Sequence, residues 1–330
     1  MGVFHTGLQA MSRYVRQISL FPQGEADQKR LLDAHVLVVG AGGLGATVLP
    51  AVVGAGCGRI TVVDHDRVDE SNLHRQTLFR MEDIGKLKVS CVADRLSGLN
   101  PDCRIVPVAQ RLEPASARCL LPGISVVVDA ADSVAVTYML SDLCLETGIP
   151  LVSASVLGQA GYAGGFCSGA PGYRAVFPDI PARFPTCSDA GVSGPVVAAL
   201  GAIQAQMTLS ILLDLQPSPL GQMISLDLEH WRSSSFRFDD APPPEEDAPF
   251  VLGLAELTEA DRVFDLRERG EKGPPSVDWA VRGPLENPEI PDVGAGRTVF
   301  VCASGLRAWR AARRFSERNG AVSYIATTGQ

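Results

Sequence analysis

Absent from this sequence is any pair of cysteines spaced as C-x-x-C, although the chain contains 8 cysteines. Scattered single cysteines argue against a dense disulfide framework and against a site of four thiolates for zinc. The first ten residues lack the basic start and the apolar core of a secretory signal peptide. We therefore expect a cytoplasmic protein with reduced thiols.

Positive charge and uninterrupted apolar runs are also scarce. The net charge of −8 disfavours a partner held through nucleic-acid phosphates, so we expect no DNA partner. The longest apolar run, residues 195–215, contains Gln204 and Gln206, and we interpret it as a core helix rather than a membrane span. With 330 residues and 46% hydrophobic content, the chain can form one large domain or two smaller ones.

A glycine turn between two predicted strands is the central feature of the sequence. An apolar run at residues 36–39 leads into Gly40-Ala41-Gly42-Gly43-Leu44-Gly45, then a helical pattern, and then a second strand that ends at Asp64. This order is the context in which a G-x-G-x-x-G sequence binds a nucleotide, with the acid on the ribose. Glycines let the backbone approach a phosphate, and a helix N-terminus offers free N–H groups. The predicted phosphate-binding residues are Gly40, Gly42, Gly43 and Gly45.

A dense polar segment follows the turn, from Asp64 to Gln76, and contains acids, amides and a guanidinium group. A nicotinamide oxidoreductase would explain the glycine turn but has no need of this segment. A site that holds ATP and directs a carboxylate onto its α-phosphate needs such groups, because charge develops on the phosphates during the attack.

Several motifs in a fixed order cover roughly residues 11–235. They are Arg13-Tyr14-Val15-Arg16-Gln17, the glycine turn, Asp64-x-Asp66, Ser71-Asn72-Leu73-x-Arg75-Gln76, Gly85-Lys86-x-Lys88, Asp132 and Cys187-x-x-Ala190-Gly191-Val192. Together they resemble the ubiquitin-activating-enzyme-like adenylyltransferases, which activate sulfur carriers in molybdopterin and thiamine biosynthesis.

The resemblance implies that ATP adenylates the C-terminal Gly-Gly carboxylate of a small ubiquitin-like sulfur carrier. It implies that Lys88 contacts the α-phosphate and that Arg75 and Arg16 contact the outer phosphates, with Arg16 supplied by the partner in a homodimer. It assigns Mg²⁺ to Asp132, a ligand type that this ion prefers. The other implied nucleotide contacts are Asp64, Asp66, Ser71, Asn72, Gln76 and Ser133.

The sequence departs from the resembling family at two places. Many relatives bind zinc through two C-x-x-C pairs, but the first pair is replaced here by Gly172-Tyr173-Arg174-Ala175. The second would fall in a segment rich in proline and acids, so we expect no zinc. Where relatives often have an arginine, this chain has Thr137. That change is expected to affect a partner contact rather than ATP.

The proline-rich acidic segment at residues 239–250 predicts a linker between domains at residues 1–238 and 251–330. In the first domain, strands alternating with helices predict an α/β fold with a doubly wound, Rossmann-like, mostly parallel sheet. The second is predicted to be a small α/β domain. Its strand at residues 298–301 leads into Cys302-Ala303-Ser304-Gly305-Leu306-Arg307 and a helix. This C-x-x-G-x-R loop resembles the active loop of rhodanese domains.

The rhodanese resemblance implies that Cys302 carries a persulfide, with sulfur from thiosulfate or a persulfide protein, and passes it on to give a thiocarboxylate. Cys187 is a second candidate for carrying an acyl or persulfide group, although a lone cysteine is usually a small buried apolar residue. The shortness of the second domain keeps a role in docking alone open. The alternative function is adenylation of another carboxylate, on a peptide or a tRNA-bound group. A non-catalytic scaffold is disfavoured by Arg75, Lys88 and Asp132.

Overall fold

In the part of the chain that the structure describes, the larger of two sheets has eight strands. The structure is a computed structural model that describes residues 12–178, 191–243, 248–268, 271, 276–282 and 296–328. Within these residues the strand order is β3-β2-β1-β4-β5-β6-β7-β8. The strands are β1 (His35–Val39), β2 (Arg59–Val63), β3 (Arg104–Val108), β4 (Val126–Asp129), β5 (Leu151–Leu157), β6 (Ala160–Phe166), β7 (Gln222–Asp227) and β8 (Arg232–Arg237).

Strand pairing changes from parallel to antiparallel along this sheet. The pairs from β3 to β5 are parallel, and those from β5 to β8 are antiparallel. β1 lies between β2 and β4, with Val39 opposite both Val63 and Asp129. The chain therefore winds in opposite directions on the two sides of β1, and doubly wound sheets bind ligands at the carboxyl edge beside such a point. The predicted fold class is confirmed.

Helices cover both faces of the larger sheet. They are α1 (Val15–Ile18), α2 (Glu25–Asp33), α3 (Gly43–Gly54), α4 (Lys88–Leu99), α5 (Pro114–Leu120), α6 (Val134–Thr147), α7 (Tyr173–Val176) and α8 (Gly194–Leu212). β1 shows why both faces are covered. Its alternate residues Val36 and Val38 join a core with α3 and α8, and Leu37 and Val39 join a core with α6.

Among the described residues, one helix, α8, is long and apolar enough to cross a membrane by length and composition. It packs along α3 and the strands β4, β5 and β6. Its buried side chain Gln204 donates hydrogen bonds to the carbonyl oxygens of Asp129 at 2.6 Å and Val152 at 3.1 Å. These are the contacts of a core helix, which is how we interpreted this run.

Among the residues described after β8, the smaller sheet has five parallel strands in the order β11-β10-β12-β13-β9. They are β9 (Phe250–Val251), β10 (Arg262–Asp265), β11 (Val281–Arg282), β12 (Thr298–Cys302) and β13 (Tyr324–Thr327), with helix α9 (Leu306–Asn319). Buried Phe300 of β12 packs against Phe315 of α9, with ring centroids 6.0 Å apart. The predicted strand, turn and helix around Cys302 are confirmed. The predicted linker falls between β8 and β9, and the division into domains stays a prediction.

The two sheets share one hydrophobic core through α6 and α9. Tyr138 of α6 and Trp309 of α9 have ring centroids 4.7 Å apart. At the carboxyl edges of the sheets, Arg111 donates from Nη2 to Thr327 Oγ1 at 2.8 Å. The smaller sheet is therefore docked on the larger one, which the sequence patterns did not predict.

Candidate active site

The glycine turn connects β1 to α3 in the predicted way. Gly40 has a φ of +99°, and a Cβ atom there would come within 2.5 Å of the carbonyl oxygen of Ala130. A Cβ atom on Gly45 would overlap the carbonyl oxygen of Gly40. Both positions require glycine because the turn folds back on itself and against the loop after β4. Gly42 is the N-cap of α3 and Gly43 begins the helix, so the first N–H groups of α3 face the carboxyl edge of the sheet.

Asp64 connects the glycine turn to the polar segment that follows β2. Its Oδ2 accepts a hydrogen bond from the amide of Ala41 at 2.7 Å, and its Oδ1 accepts one from the amide of Asp66 at 2.7 Å. A carboxylate oxygen has a second lone pair, so these bonds leave acceptor capacity for a ribose hydroxyl. The ribose contact stays a prediction, and the carboxylate also fixes the shape of the turn.

Lys88 is the first residue of α4 and is 4% exposed. Its Nζ lies 2.8 Å from Asp66 Oδ2, and its backbone amide donates to the carbonyl oxygen of Asp66 at 3.0 Å. A buried ammonium group needs such a partner because its desolvation is costly. The side chain of Asp66 is 52% exposed. The acidic partner of the pair is therefore open to solvent, while the basic partner is buried. The sequence did not predict this ion pair.

A short 3-10 helix, Glu70–Asn72, shapes the middle of the polar segment. The amide and the hydroxyl of Ser71 donate to Asp69 Oδ1, and these bonds lower the pKa of Asp69. Buried Gln76 donates from Nε2 to Asn72 Oδ1 at 2.9 Å. Gln76 Oε1 is buried and has no hydrogen-bond partner within the described part of the chain. This amide pair is therefore preorganised and retains an acceptor.

Arg75 and Gln76 both lie against the glycine turn. A Cβ atom on Gly42 would be 3.8 Å from Gln76 Nε2, and one on Gly43 would be 3.5 Å from Arg75 Cγ. Arg75 is half-buried, and its Nη1 donates a long hydrogen bond of 3.4 Å to the carbonyl oxygen of Ser71. The structure thus brings the predicted guanidinium and amide groups beside the predicted phosphate-binding turn.

The loop between β4 and α6 carries two aspartates in contrasting surroundings. Asp132 is exposed, and Ser133 is the N-cap residue of α6, although its side chain makes no capping bond. Asp129 is fully buried and accepts hydrogen bonds from Thr137 Oγ1 at 2.7 Å and Ser153 Oγ at 2.8 Å. Burial raises the pKa of Asp129 to about 6, and these hydrogen bonds oppose the rise. Thr137, the departure from the family pattern, therefore supports the carboxylate under this loop.

The carboxylate of Asp132 fits the predicted magnesium site. Asp132 lies two residues after Ala130, whose carbonyl oxygen would clash with a Cβ atom on Gly40. An exposed carboxylate beside a phosphate-binding turn is the ligand type that Mg²⁺ prefers. A second group of possible ligands comprises Asp64, His65 and Asp66, whose ligand atoms lie within 4.8 Å of one another.

Arg16 is not among the residues that the structure brings to this edge, because its neighbour Gln17 donates to the carbonyl oxygen of Ala55 after the far end of α3. Arg16 is exposed on α1, and its expected role toward a second protomer stays a prediction. Cys187 lies outside the described residues.

The segment that replaces the first cysteine pair of the relatives forms α7, and there the buried side chain Arg174 binds Asp142 through Nε at 2.6 Å and Nη2 at 2.7 Å. The zinc prediction stays a prediction.

The Cys302 loop has the predicted strand–turn–helix form but is closed. The thiol has no exposed surface, and Sγ accepts hydrogen bonds from the amides of Gly305 at 3.1 Å and Ala308 at 3.3 Å. Arg307 forms an ion pair with Glu271. The backbone N–H groups of this loop are arranged as in an anion-binding site. In this structure they donate to the sulfur of Cys302 itself. Sequence reasoning did not predict that this cysteine is buried.

Comparisons with known proteins agree with the geometry of the larger sheet. The profile of the ThiF family matches residues 14–247. The SAMP-activating enzyme E1 of Haloferax volcanii is 37% identical over 219 residues, which cover 66% of this chain and 81% of that protein. The sulfur carrier protein adenylyltransferase of Thermus thermophilus is 37% identical over 227 residues, covering 66% of this chain and 84% of that protein.

A third relative is longer. The adenylyltransferase and sulfurtransferase MOCS3 of Sus scrofa is 41% identical over 223 residues, 65% of this chain and 48% of that protein. The match thus spans about half the length of this relative. The solved structure of Escherichia coli MccB has a TM-score of 0.63 at 20% identity, covering 70% of this chain and 73% of MccB, which shows the shared fold. The chain belongs to the ThiF family and is an adenylyltransferase.

Proposed function

We propose that this chain uses ATP to adenylate the C-terminal glycine carboxylate of a small ubiquitin-like sulfur carrier, which then receives sulfur as a thiocarboxylate. The observation that carries the proposal is the position of Lys88, whose ammonium group is tied through Asp66 and Asp64 to the glycine turn. The names of the relatives that activate SAMP or a sulfur carrier protein support the substrate class.

In the first step, a carboxylate oxygen of the carrier attacks the α-phosphorus of ATP. The bond from that phosphorus to the bridging oxygen breaks, and pyrophosphate leaves with the electron pair. Negative charge grows on the α-phosphate and on the leaving group, so fixed cations and N–H groups aimed at them lower the barrier. Lys88 and Arg75 supply the cations, and the first amides of α3 supply the N–H groups. Gln76 and Asn72 hold the phosphates in place.

The Lys88–Asp66 ion pair would be exchanged when ATP binds. Asp66 is half-exposed and can turn to water, whereas buried Lys88 remains and meets a phosphate oxygen instead. Asp132 would hold Mg²⁺, which when bound neutralises part of the phosphate charge. Arg16 would reach the outer phosphates of a second protomer, which requires a homodimer.

The sulfur step would use Cys302. Its thiolate attacks the outer sulfur of thiosulfate, the S–S bond breaks and sulfite leaves, so Cys302 holds a persulfide. The persulfide attacks the acyl carbon of the adenylate, AMP leaves, and an acyl disulfide forms. A second thiol then attacks the sulfur of Cys302, releases the thiocarboxylate and leaves a disulfide that an external thiol reduces. Cys187 is the second candidate for carrying an acyl or persulfide group.

A second candidate function is adenylation of another carboxylate, on a peptide or a tRNA-bound group, with the smaller sheet serving only for docking. The complete burial of Cys302 favours this alternative. The net charge of −8 disfavours the tRNA variant of it.

The test is intact-mass spectrometry of small Gly-Gly proteins after incubation with the enzyme, ATP, Mg²⁺ and thiosulfate. We expect one of them to gain the mass difference between sulfur and oxygen. The matched controls are the same protein without its last two glycines and an enzyme with Lys88→Ala, neither of which should yield the product. ATP turnover on another carboxylate, with no carrier modified, would favour the second candidate.

A further inference from the structure

The Cys302 loop is closed by the first turn of α6. Gly305 has a φ of +89°, which favours glycine, and a Cβ atom there would lie 3.1 Å from the Cβ of Ala135 and 3.1 Å from Thr327 Cγ2. Ala135 belongs to the larger sheet's layer, three residues after Asp132. Gly305 therefore packs directly against α6, and Ala135 and the buried Cys302 belong to the same hydrophobic core.

Two guanidinium groups near this cysteine are already paired with carboxylates. Arg307 is paired with both carboxylate oxygens of Glu271. Buried Arg267 binds Asp265 from Nη2 at 2.7 Å, and Ser276 donates to the same carboxylate at 2.9 Å. Paired guanidinium groups attract an anionic sulfur donor weakly, so both the shape and the charge of the loop disfavour entry.

Arg174 joins the helix layer of the larger sheet to the smaller sheet. It is 3% exposed and forms two hydrogen bonds to Asp142 of α6. Its Nη2 also donates to the carbonyl oxygen of Pro249 at 3.0 Å, directly before β9 of the smaller sheet. The guanidinium carbon lies 4.8 Å from the centroid of the Tyr138 ring and 5.0 Å from that of Trp309. One buried charge thus contacts α6, the connection between the sheets and α9.

We propose that Arg174 is a latch that holds the smaller sheet on α6 and thereby shields the thiol of Cys302. In the latched state a sulfur donor cannot reach Sγ. Loading of Cys302 requires the Gly305 loop to separate from Ala135, which the Arg174 contacts oppose. The latch concerns access to a thiol, so it does not depend on which carboxylate the larger sheet adenylates.

The test measures the alkylation rate of each cysteine in the full chain with iodoacetamide, followed by peptide mass spectrometry. Exposed Cys119 reports the reactivity of an open thiol, and buried Cys57 in the other core reports global unfolding. In the wild type, we expect Cys302 to react at least about 100-fold more slowly than Cys119. In Arg174→Ala, Cys302 should react at least about tenfold faster while Cys57 stays protected.

The matched control is Arg297→Ala. Arg297 also forms two hydrogen bonds to a carboxylate, that of Asp261, but within the smaller sheet's own layer. This variant should leave the alkylation rate of Cys302 unchanged. The latch is refuted if wild-type Cys302 reacts as fast as Cys119, or if Arg174→Ala leaves its rate unchanged.

A second variant, Ala135→Leu, covers the case in which Arg174→Ala exposes Cys57 as well. The larger side chain would wedge the Gly305 loop away from α6 without removing a buried charge. We expect faster alkylation of Cys302 with Cys57 still protected. If Cys302 remains as slow as in the wild type, or if the two thiols again react together, docking on α6 does not control access and the proposal fails.

Discussion

Lys88 Nζ lies 2.8 Å from Asp66 Oδ2, whereas Lys86, two residues earlier, points to Asp83 with Nζ 3.3 Å from Oδ1. The two lysines of one short motif therefore have different surroundings. The side chain of Lys88 is 5% exposed, and that of Lys86 is 58% exposed. This contrast separates a lysine held at the candidate site from an ordinary surface lysine.

Replacing Lys88 by alanine should abolish adenylation while the fold remains intact. The ammonium group would stabilise the charge that develops on the α-phosphate, and loss of one such group costs at least about 100-fold in rate. The measurement is the ATP–pyrophosphate exchange rate with a carrier, together with the circular dichroism spectrum. Lys86→Ala is the control and should change the exchange rate by less than about threefold. Normal exchange in Lys88→Ala would remove this residue from the mechanism.

The buried carboxyl of Asp129 should make stability depend on pH. Burial raises its pKa to about 6 in the folded chain, so between pH 4 and pH 6 the folded state binds a proton that the unfolded state has released. This contribution therefore favours folding at low pH and is lost as the pH rises to 6 and above. From pH 4.5 to pH 7.5 the loss should be about 2 kcal/mol in the free energy of unfolding.

Asp129→Asn removes this titration and keeps an acceptor for Thr137 and Ser153. The difference in unfolding free energy between the variant and the wild type, from urea denaturation, should shift in favour of the variant by about 2 kcal/mol over that pH range. Comparing the two proteins cancels the titration of all other groups. A difference that does not change with pH would show that Asp129 has an ordinary pKa.

Sequence patterns of neighbouring residues predicted the strands, turn and helix that carry the candidate site. The features that were not predicted depend on contacts between distant parts of the chain or on an exposed polar strand. The apolar run at residues 36–39 and the glycines after it specify β1, the turn and α3, because each depends on neighbours in the sequence. β8 was not predicted because all its side chains are exposed and mostly polar. The Tyr138–Trp309 contact joins residues that are far apart in the chain. The spacing of apolar residues within one helix or strand does not indicate such a contact.

Cys302→Ala should leave adenylation unchanged and stop formation of the thiocarboxylate. The thiol lies in the smaller sheet, while the groups predicted to bind ATP lie on the larger one. ATP–pyrophosphate exchange should therefore stay within about twofold of the wild type, and thiosulfate should no longer yield the product. Cys119→Ala, at an exposed thiol, is the control and should retain both activities. Thiocarboxylate formed at the wild-type rate by Cys302→Ala would make the smaller sheet a docking module.

Mixing two inactive variants should restore activity if Arg16 acts across a dimer. Arg16→Ala and Lys88→Ala should each lose exchange activity when alone. After subunit exchange, a mixed dimer contains one site with Lys88 from the first variant and Arg16 from the second. An equal mixture should then recover about a quarter of wild-type exchange, because half of the dimers are mixed and each has one complete site of two.

The mixture separates an arginine that acts in trans from one that acts within its own chain. If Arg16 served the site of its own protomer, every site in the mixed dimer would lack one of the two residues and no activity would return. Lys29→Ala, at an exposed position on the neighbouring helix α2, should be fully active and is the control for charge loss in this region. No recovery despite proven subunit exchange would place Arg16 outside the partner's active site, and its exposure on α1 would then be that of a surface residue.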